Sequence, residues 1–360
     1  MHRRNQQSSI SLVRMVRSID AYFRNAPGLN FILIATHAGQ HVMTSGQAPT
    51  TDDRNPIRRI QEIYKGKRGC GQPVISIELF PPKTPRAADS LFEKALPRLA
   101  TAKPDFFSVT YGAGGGTRDK TLEVVDHIQR NHGITGMAHL TCLGSTKDEV
   151  AQFLTDASSL DILNILALRG DPPRGLPDVA PPDDGFEYSF QLIDFIQSHG
   201  DFSIGAAGFP ECHVACTEGR HVDWQRVKNK LDHGAEFILT QLFFSNAHYF
   251  EFLEYMTGTL GVSAPVIPGI LPILSTEQIR RFTAICGITL PAELESRLDA
   301  FGDDVDAVRD FGIEFATHQC EELLKGGAPG LHLYSLNQSR SCLAILKNLG
   351  LRAKPKVESY

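Results

Sequence analysis

The chain contains no apolar run approaching the roughly 20 residues that a membrane-spanning helix needs. Its longest early run, Phe31 to Ala35, is far too short. It also lacks an excess of positive charge. Thirty-six Lys and Arg stand against 41 Asp and Glu, leaving a formal charge of −5 and a pI near 6.2. That balance suits a broad polyanion-binding surface poorly, so neither nucleic acid nor membrane is an expected partner. There is no even, regular set of cysteines. The seven, at positions 70, 142, 212, 216, 286, 320 and 342, are odd in number and scattered. They read as thiols in a reducing compartment, not as a disulfide framework. No secretory signal is visible. The first 25 residues carry Arg3, Arg4, Arg14, Arg17 and Arg24, four serines and one acid, Asp20. A plain N-terminal extension and a transit peptide both fit that composition. The expected location is therefore cytoplasmic, with mitochondrial as the alternative.

What is present is a globular composition, 42% hydrophobic and 21% charged, which excludes a disordered or fibrous chain. Residues 1–70 show no sustained pattern beyond a helix-like stretch near Ile10 to Phe23. From Val74 onward, short β-branched runs alternate with helical stretches. The strand-like runs are Val74–Leu79, Asp105–Val109, Gly136–Leu140, Ile162–Ala167, Phe202–Ala207, Glu236–Thr240, Pro265–Pro268 and Leu331–Tyr334. Between them, Val150, Phe153, Leu154 and Ala157 recur at helical spacing, as do Trp224, Val227 and Leu231. Thr146 with Glu149, and Ser275 with Gln278, have capping-box spacing. Gly326, Gly327 and Pro329 end the last long helix. Eight strand–helix units over about 275 residues predict a (β/α)₈ TIM barrel. A doubly wound sheet would show a Gly-x-Gly-x-x-Gly turn after its first strand, and here that strand ends in Glu-Leu-Phe-Pro-Pro. The expected organisation is an extension over 1–70, the barrel over 71–352 and a tail over 353–360.

Barrel chemistry collects where strands end. Those positions carry Glu78, then Thr110 and Tyr111 before Gly112–Gly116, His139, Arg169-Gly170-Asp171, Phe209 with His213, Gln241, and Tyr334 with Gln338. Polar groups at nearly every strand end point to a large ligand on one face. Glu78 follows Val-Ile-Ser-Ile, so its carboxyl is expected to lose hydration and hold a proton near neutral pH; a structural Glu paired with an Arg of a neighbouring strand fits equally. Arg169 and Asp171 flank a glycine and precede two prolines, as a ligand loop or as an ion pair between near neighbours. The glycine run lacks Gly-Lys-Ser/Thr and is no P-loop. Cys212-His213-x-x-Cys216 has metal-ligand spacing, but no second Cys-x-x-Cys completes a structural site. Lys230 is placed either in solvent or against a phosphate. Gln241 stands before an apolar Leu-Phe-Phe, and Gln278 and Phe282 share a helix face.

Eight phrases in order, over roughly residues 74 to 350, resemble the 5,10-methylenetetrahydrofolate reductase family. They are Ser-Ile-Glu-Leu-Phe-Pro-Pro-Lys-Thr (76–84), Phe-Ser-Val-Thr-Tyr-Gly-Ala-Gly-Gly (107–115), Ala-His-Leu-Thr-Cys (138–142), Ala-Leu-Arg-Gly-Asp-Pro-Pro (167–173), Gly-Phe-Pro-Glu-Cys-His (208–213), Gly-Ala-Glu-Phe-Ile-Leu-Thr-Gln-Leu-Phe-Phe (234–244), Ile-Pro-Gly-Ile-Leu-Pro (267–272) and Leu-Tyr-Ser-Leu-Asn (333–337). The resemblance implies a flavin-bearing barrel that passes hydride from NADH or NADPH through FAD to methylenetetrahydrofolate. The product is 5-methyltetrahydrofolate, used in one-carbon metabolism and methionine synthesis, and relatives form homo-oligomers.

It further implies that Glu78 protonates the folate and that Asp171 lies between folate and flavin. The FAD contacts it implies are Thr110, Tyr111, Ala113, His139, Arg169, Gly170, Asp171, Ser189, Phe209, His213, Cys216, Asp223, Arg226 and Lys230. Gln241, Gln278, Phe282 and Gln338 take the folate or nicotinamide side. The chain departs from the family pattern in four places. Phe209 stands where Tyr is common, His213-Val-Ala-Cys216 where His-Pro-Glu-Ala is common, and Gln338 where Arg usually follows Leu-Asn. The helix carrying Arg226 and Asn229 also differs. Competing readings are a flavin barrel of the proline-oxidising type, a metal-dependent barrel built on Cys212, His213 and Cys216, and a barrel without turnover; the presence of both Glu78 and Asp171 argues against the last.

Overall fold

The computed structural model describes residues 57–111, 118–171 and 182–351. The helix-like stretch at 10–23, the arginine-rich N-terminus, Ala113 with its glycine run, Pro172-Pro173 and the tail lie outside those residues. Eight strands close into one parallel barrel in chain order: β1 (Val74–Leu79), β2 (Phe106–Val109), β3 (Thr135–Thr141), β4 (Asn164–Leu168), β5 (Ser203–Gly208), β6 (Phe237–Leu242), β7 (Val266–Ile270) and β8 (Gly330–Tyr334). β8 pairs back onto β1. The expected (β/α)₈ barrel is therefore the observed one, and each expected strand end is off by two residues at most.

Parallel strands buried on both faces read as continuous apolar runs, and nearly every strand residue is buried. One side chain in two points into the barrel. Val74, Phe106, Met137, Leu166, Phe237 and Ile267 belong to one interior cluster. Gly205 makes room for the Phe237 ring, since a Cβ there would stand 2.4 Å from it. The outer faces pack on the helices.

A helix over Ile60–Gly69, in the stretch without a visible pattern, sits beneath the strands' N-terminal ends. Its Ile60, Ile63 and Tyr64 are buried in the interior cluster. Asn164, the first residue of β4, holds it: its Oδ1 accepts from Ile60 N at 2.8 Å, and its Nδ2 donates to Arg58 O and Gly136 O. Lys67 adds an ion pair with Asp105 at 2.7 Å.

Thr146 and Glu149 do form a capping box. Ser275 caps its helix by accepting from Gln278 N at 3.2 Å, but the Gln278 side chain accepts from Leu274 N, one residue before the cap. That second pair is thus half a box. The β7–β8 connection carries three helices, Thr276–Cys286, Ala292–Ala300 and Val305–Lys325, which enclose a second apolar cluster with Phe80, Leu271 and Tyr334. All seven cysteines are free thiols, and four of them are buried. Among the described residues, no helix is long and apolar enough to cross a membrane.

Candidate active site

Glu78 projects from β1 into the barrel near its C-terminal mouth and is 1% exposed. Among the described residues no arginine pairs with it. Its Oε2 instead lies 3.5 Å from His332 Nε2 and 3.7 Å from His139 Nε2. Its Oε1 is buried with no hydrogen-bond partner among the described residues. Burial raises the Glu78 pKa, and the His332 contact offsets part of the rise. Burial also pushes His139 down to about 3, with His332 adding to the effect, so His139 is neutral. The expectation of a dehydrated, proton-holding Glu78 fits this setting.

The backbone around Glu78 is clamped by the segment after β8. Ser335 Oγ donates to Glu78 O at 2.6 Å. Asn337 accepts from Phe80 N through Oδ1 and donates to Phe80 O through Nδ2, both at 2.9 Å. Leu336 and Asn337 take left-handed φ values of 52° and 57° to make this turn.

Glu78, Leu166, Ala207, Phe209, Leu239, Thr240, Gln241, His332 and Tyr334 line a small cavity. Gln241 Oε1 accepts from Leu242 N at 2.9 Å, which leaves the buried Nε2 without a partner. Tyr334 passes over Gly269 and donates its hydroxyl to Thr240 O at 2.7 Å.

On the β2–β4 side, Thr110 Oγ1 is buried and has no hydrogen-bond partner among the described residues, and Tyr111 is buried edge-on to Phe153 at 5.8 Å. Arg169 is exposed and donates from Nε to Glu187 O at 3.0 Å. Gly170 has φ +85°, and a Cβ there would stand 2.9 Å from Thr141 Cβ, so the position requires glycine. Asp171 is buried at the strand end and faces Cys286 electrostatically. Ser189 is buried at the start of the Ser189–Ser198 helix.

On the β5 side, the helix Arg220–Asp232 organises the loop before it. Asp223 Oδ2 accepts from His213 N at 3.0 Å, and Trp224 Nε1 donates to Phe209 O at 3.0 Å. His213 stands edge-on to Phe209, 4.5 Å between centroids. Lys230 is not in solvent: its Nζ donates to Ala207 O at 2.9 Å and lies 5.9 Å from the Phe209 ring centre. Burial lowers Lys230 to about 8, against the pull of Asp223. Burial also raises Asp223 and lowers His213 to about 4, with Lys230, Arg169 and Arg226 adding to the drop. Arg226 is exposed, paired with Glu218 and 3.4 Å from Cys216 Sγ. The Cys212 and Cys216 thiols turn toward backbone carbonyls. Among the described residues, no three His, Cys, Asp or Glu side chains gather as metal ligands.

Gln278 and Phe282 are buried on one face of Thr276–Cys286. Phe282 joins the second apolar cluster, not the wall of the Glu78 cavity. Gln338 is half-buried at the start of Ser339–Asn348 and makes no side-chain cap. Sequence reasoning missed His332 and Ser335. The signal for His332 was available, because a His in Gly-Leu-His-Leu-Tyr falls on the same alternate face as the Tyr.

Comparison with known proteins adds an independent line. The sequence model of the family described as "Methylenetetrahydrofolate reductase" matches residues 61–350. A probable methylenetetrahydrofolate reductase (NADH) of Oryza sativa subsp. japonica is 38% identical over 311 residues, covering 84% of this chain and 51% of that protein. Methylenetetrahydrofolate reductase (NADH) 1 of Arabidopsis thaliana is 38% identical over 309 residues, 83% and 52% respectively. The 5,10-methylenetetrahydrofolate reductase of Escherichia coli (strain K12) is 32% identical over 284 residues, 78% and 92%. The chain thus spans about half the length of the plant relatives and most of the bacterial one. Among solved structures, an uncharacterized protein from Clostridium thermocellum, described as binding two copies of 5-methyl-5,6,7,8-tetrahydrofolic acid, superposes with a TM-score of 0.53 at 18% identity, covering 80% of this chain and 99% of that one. That likeness speaks for the fold.

Proposed function

The chain belongs to the methylenetetrahydrofolate reductase family, and from that membership we propose that it reduces 5,10-methylenetetrahydrofolate to 5-methyltetrahydrofolate. The observation that carries the proposal is Glu78, a buried carboxyl with one unpartnered oxygen at the end of a cavity. NADH, named in the Oryza and Arabidopsis relatives, is the proposed reductant. The 5-methyl product would serve methionine synthesis within one-carbon metabolism.

The mouth of the barrel suits FAD. Thr110 Oγ1 is a buried polar atom awaiting a partner. Lys230, Arg169 and Arg226 act together on His213 as a cationic group suited to a pyrophosphate. Asp223, Ser189 and His213 add polar contacts beside them, and Gly170 lets a ligand approach the backbone. When bound, FAD would supply the hydride-carrying ring. Gln241, whose Nε2 has no partner among the described residues, is a donor for a carbonyl of folate or nicotinamide, with Gln278, Phe282 and Gln338 outside the lining of the Glu78 cavity.

Glu78 holds its proton because burial disfavours the carboxylate. It gives that proton to the bridge nitrogen of the folate: the O–H bond breaks, an N–H bond forms, and the nitrogen–methylene bond opens to an iminium cation. Asp171, at the end of β4, supplies a negative charge for that cation.

The test is an absorbance spectrum of purified protein, repeated after anaerobic addition of NADH and then of methylenetetrahydrofolate. Flavin bands that bleach with the first and return with the second are expected. Protein that takes up no flavin from added FAD would overturn the proposal.

A further inference from the structure

Behind the cavity floor, Ser76, His332 and Glu78 form a continuous buried polar line. β1 and β8 pair so that Ser76 faces His332 and Glu78 faces Tyr334. Ser76 Oγ lies 2.8 Å from His332 Nδ1, and His332 Nε2 lies 3.5 Å from Glu78 Oε2. None of the three is more than 1% exposed. The His332 ring is set edge-on to Tyr334, 5.3 Å between centroids at 83°, and Tyr334 is tied to Thr240 O. The two oxygens of Glu78 are therefore unequal. Oε2 faces the Nε2 atoms of His332 and, at 3.7 Å, His139. Oε1 has no hydrogen-bond partner among the described residues.

A neutral imidazole donates from one ring nitrogen only, and a hydroxyl has one proton. If Ser76 donates to Nδ1, the imidazole proton sits on Nε2 and points at Oε2. Oε2 is then an acceptor, and the acid proton of Glu78 belongs on Oε1. The reverse arrangement has Nδ1–H donating to Ser76, and Ser76 donating to Leu331 O at 3.3 Å. It would bare Nε2, draw the acid proton onto Oε2 and turn it from the cavity. The 2.8 Å contact between Ser76 and His332 forms in either arrangement; what separates the two is that only the first leaves the acid proton on the oxygen that faces the cavity, as the acid role requires. We propose that His332 is a positioning residue for Glu78: by donating Nε2–H to Oε2 it places the transferable proton on Oε1 and steadies the carboxylate left when that proton goes.

This proposal rests on the acid role given to Glu78 above. The balance is simple. The Oε1–H bond breaks as the substrate N–H bond forms, the electron pair stays on the carboxylate, and His332 neither gains nor loses a proton. The other titratable groups facing Glu78 are His139 from β3, kept neutral by burial, and Tyr334 from β8, kept protonated by burial.

The test uses the full chain with FAD. In ¹⁵N-histidine-labelled protein, the His332 signals are identified by their loss in His332→Gln. Protonation at Nε2 is expected, and protonation at Nδ1 overturns the proposal. Separately, the infrared band of the protonated Glu78 carboxyl, identified by its loss in Glu78→Gln, is titrated. His332→Leu is expected to move its midpoint up by about one pH unit, a tenfold change in proton affinity. His332→Gln, which keeps an N–H donor, should return most of the shift. An unmoved midpoint in His332→Leu overturns the proposal. Should that variant fail to fold, Ser76→Ala serves: a loss of tautomer preference is expected, and an unchanged tautomer overturns it. Neither readout needs folate turnover. Wild-type protein with the expected tautomer and midpoint but no folate reduction would sink the functional reading alone, while active protein with the Nδ1 tautomer would sink the proton placement alone.

Discussion

Asn337 satisfies both backbone polar groups of Phe80, accepting from its N–H and donating to its carbonyl, each at 2.9 Å. One side chain after the last strand thereby fixes the exit of the first, two residues from Glu78. Asn337→Ala leaves a partly buried N–H and C=O without partners and should cost about 2–3 kcal/mol. Denaturant unfolding would show a lower midpoint at unchanged slope. Folate reduction should fall with it, because the backbone carrying Glu78 loosens. A midpoint within error of wild type would remove the clamp from the account.

Glu78→Gln should abolish folate reduction while NADH still reduces the flavin, as stopped-flow absorbance would show. The pH dependence has a definite sign. The folded pKa of Glu78 is raised, chiefly by burial, so the proton-bearing form and its contribution to stability are fully present below the usual carboxylate range. Both are lost as pH rises through the folded pKa. The wild-type rate of folate reduction should therefore decline across that rise, and the stability of Glu78→Gln relative to wild type should increase over the same interval. A flat difference would mean that Glu78 is hydrated in solution.

Lys230→Met should weaken FAD binding by about tenfold or more, read from quenching of flavin fluorescence, since it removes the buried cation beside His213 and Phe209. The apoprotein should respond oppositely. With Lys230 lowered to about 8 by burial, wild type is relatively destabilised below that pH, where the buried amine must charge, and this is relieved as pH rises toward the unfolded value. The Met variant lacks that pH response, although it loses the bond to Ala207 O.

Gln338→Arg should lower the KM for folate if this position faces the folate carboxylates, because an uncharged amide is exchanged for a cation. An unchanged or raised KM would sink the idea.

The strands were legible because parallel strands buried on both faces need unbroken apolar runs, as Val-Ile-Ser-Ile and Phe-Ile-Leu-Thr show. Glu78 was legible for the same reason, as a carboxyl at the end of a run that water cannot reach. Its partners were not. His332 lies 254 residues away, and only closure of β8 onto β1 brings the two rows together. An Arg was a reasonable guess for a buried acid, but the barrel interior supplied two imidazoles, His139 and His332. The Ile60–Gly69 helix was missed because its apolar face is three residues wide, Ile60, Ile63 and Tyr64, between Lys, Arg and Gly. The sequence left Lys230 either in solvent or against a phosphate, and did not reveal its contact with Ala207 O. Its stem lies along the protein and its amine finds a backbone carbonyl, which spacing along a helix does not reveal.

That same short helix has a consequence for traffic. Ile60, Ile63 and Tyr64 are wedged under Phe106 and Phe237, so among the described residues the barrel is stoppered at one end like a flask. A molecule admitted as far as Glu78 has only the neck to leave by. On the reaction proposed above, two reactants that both need the same depth would have to queue, each departing before the other arrives, and the lingering of one would be felt as inhibition by the other.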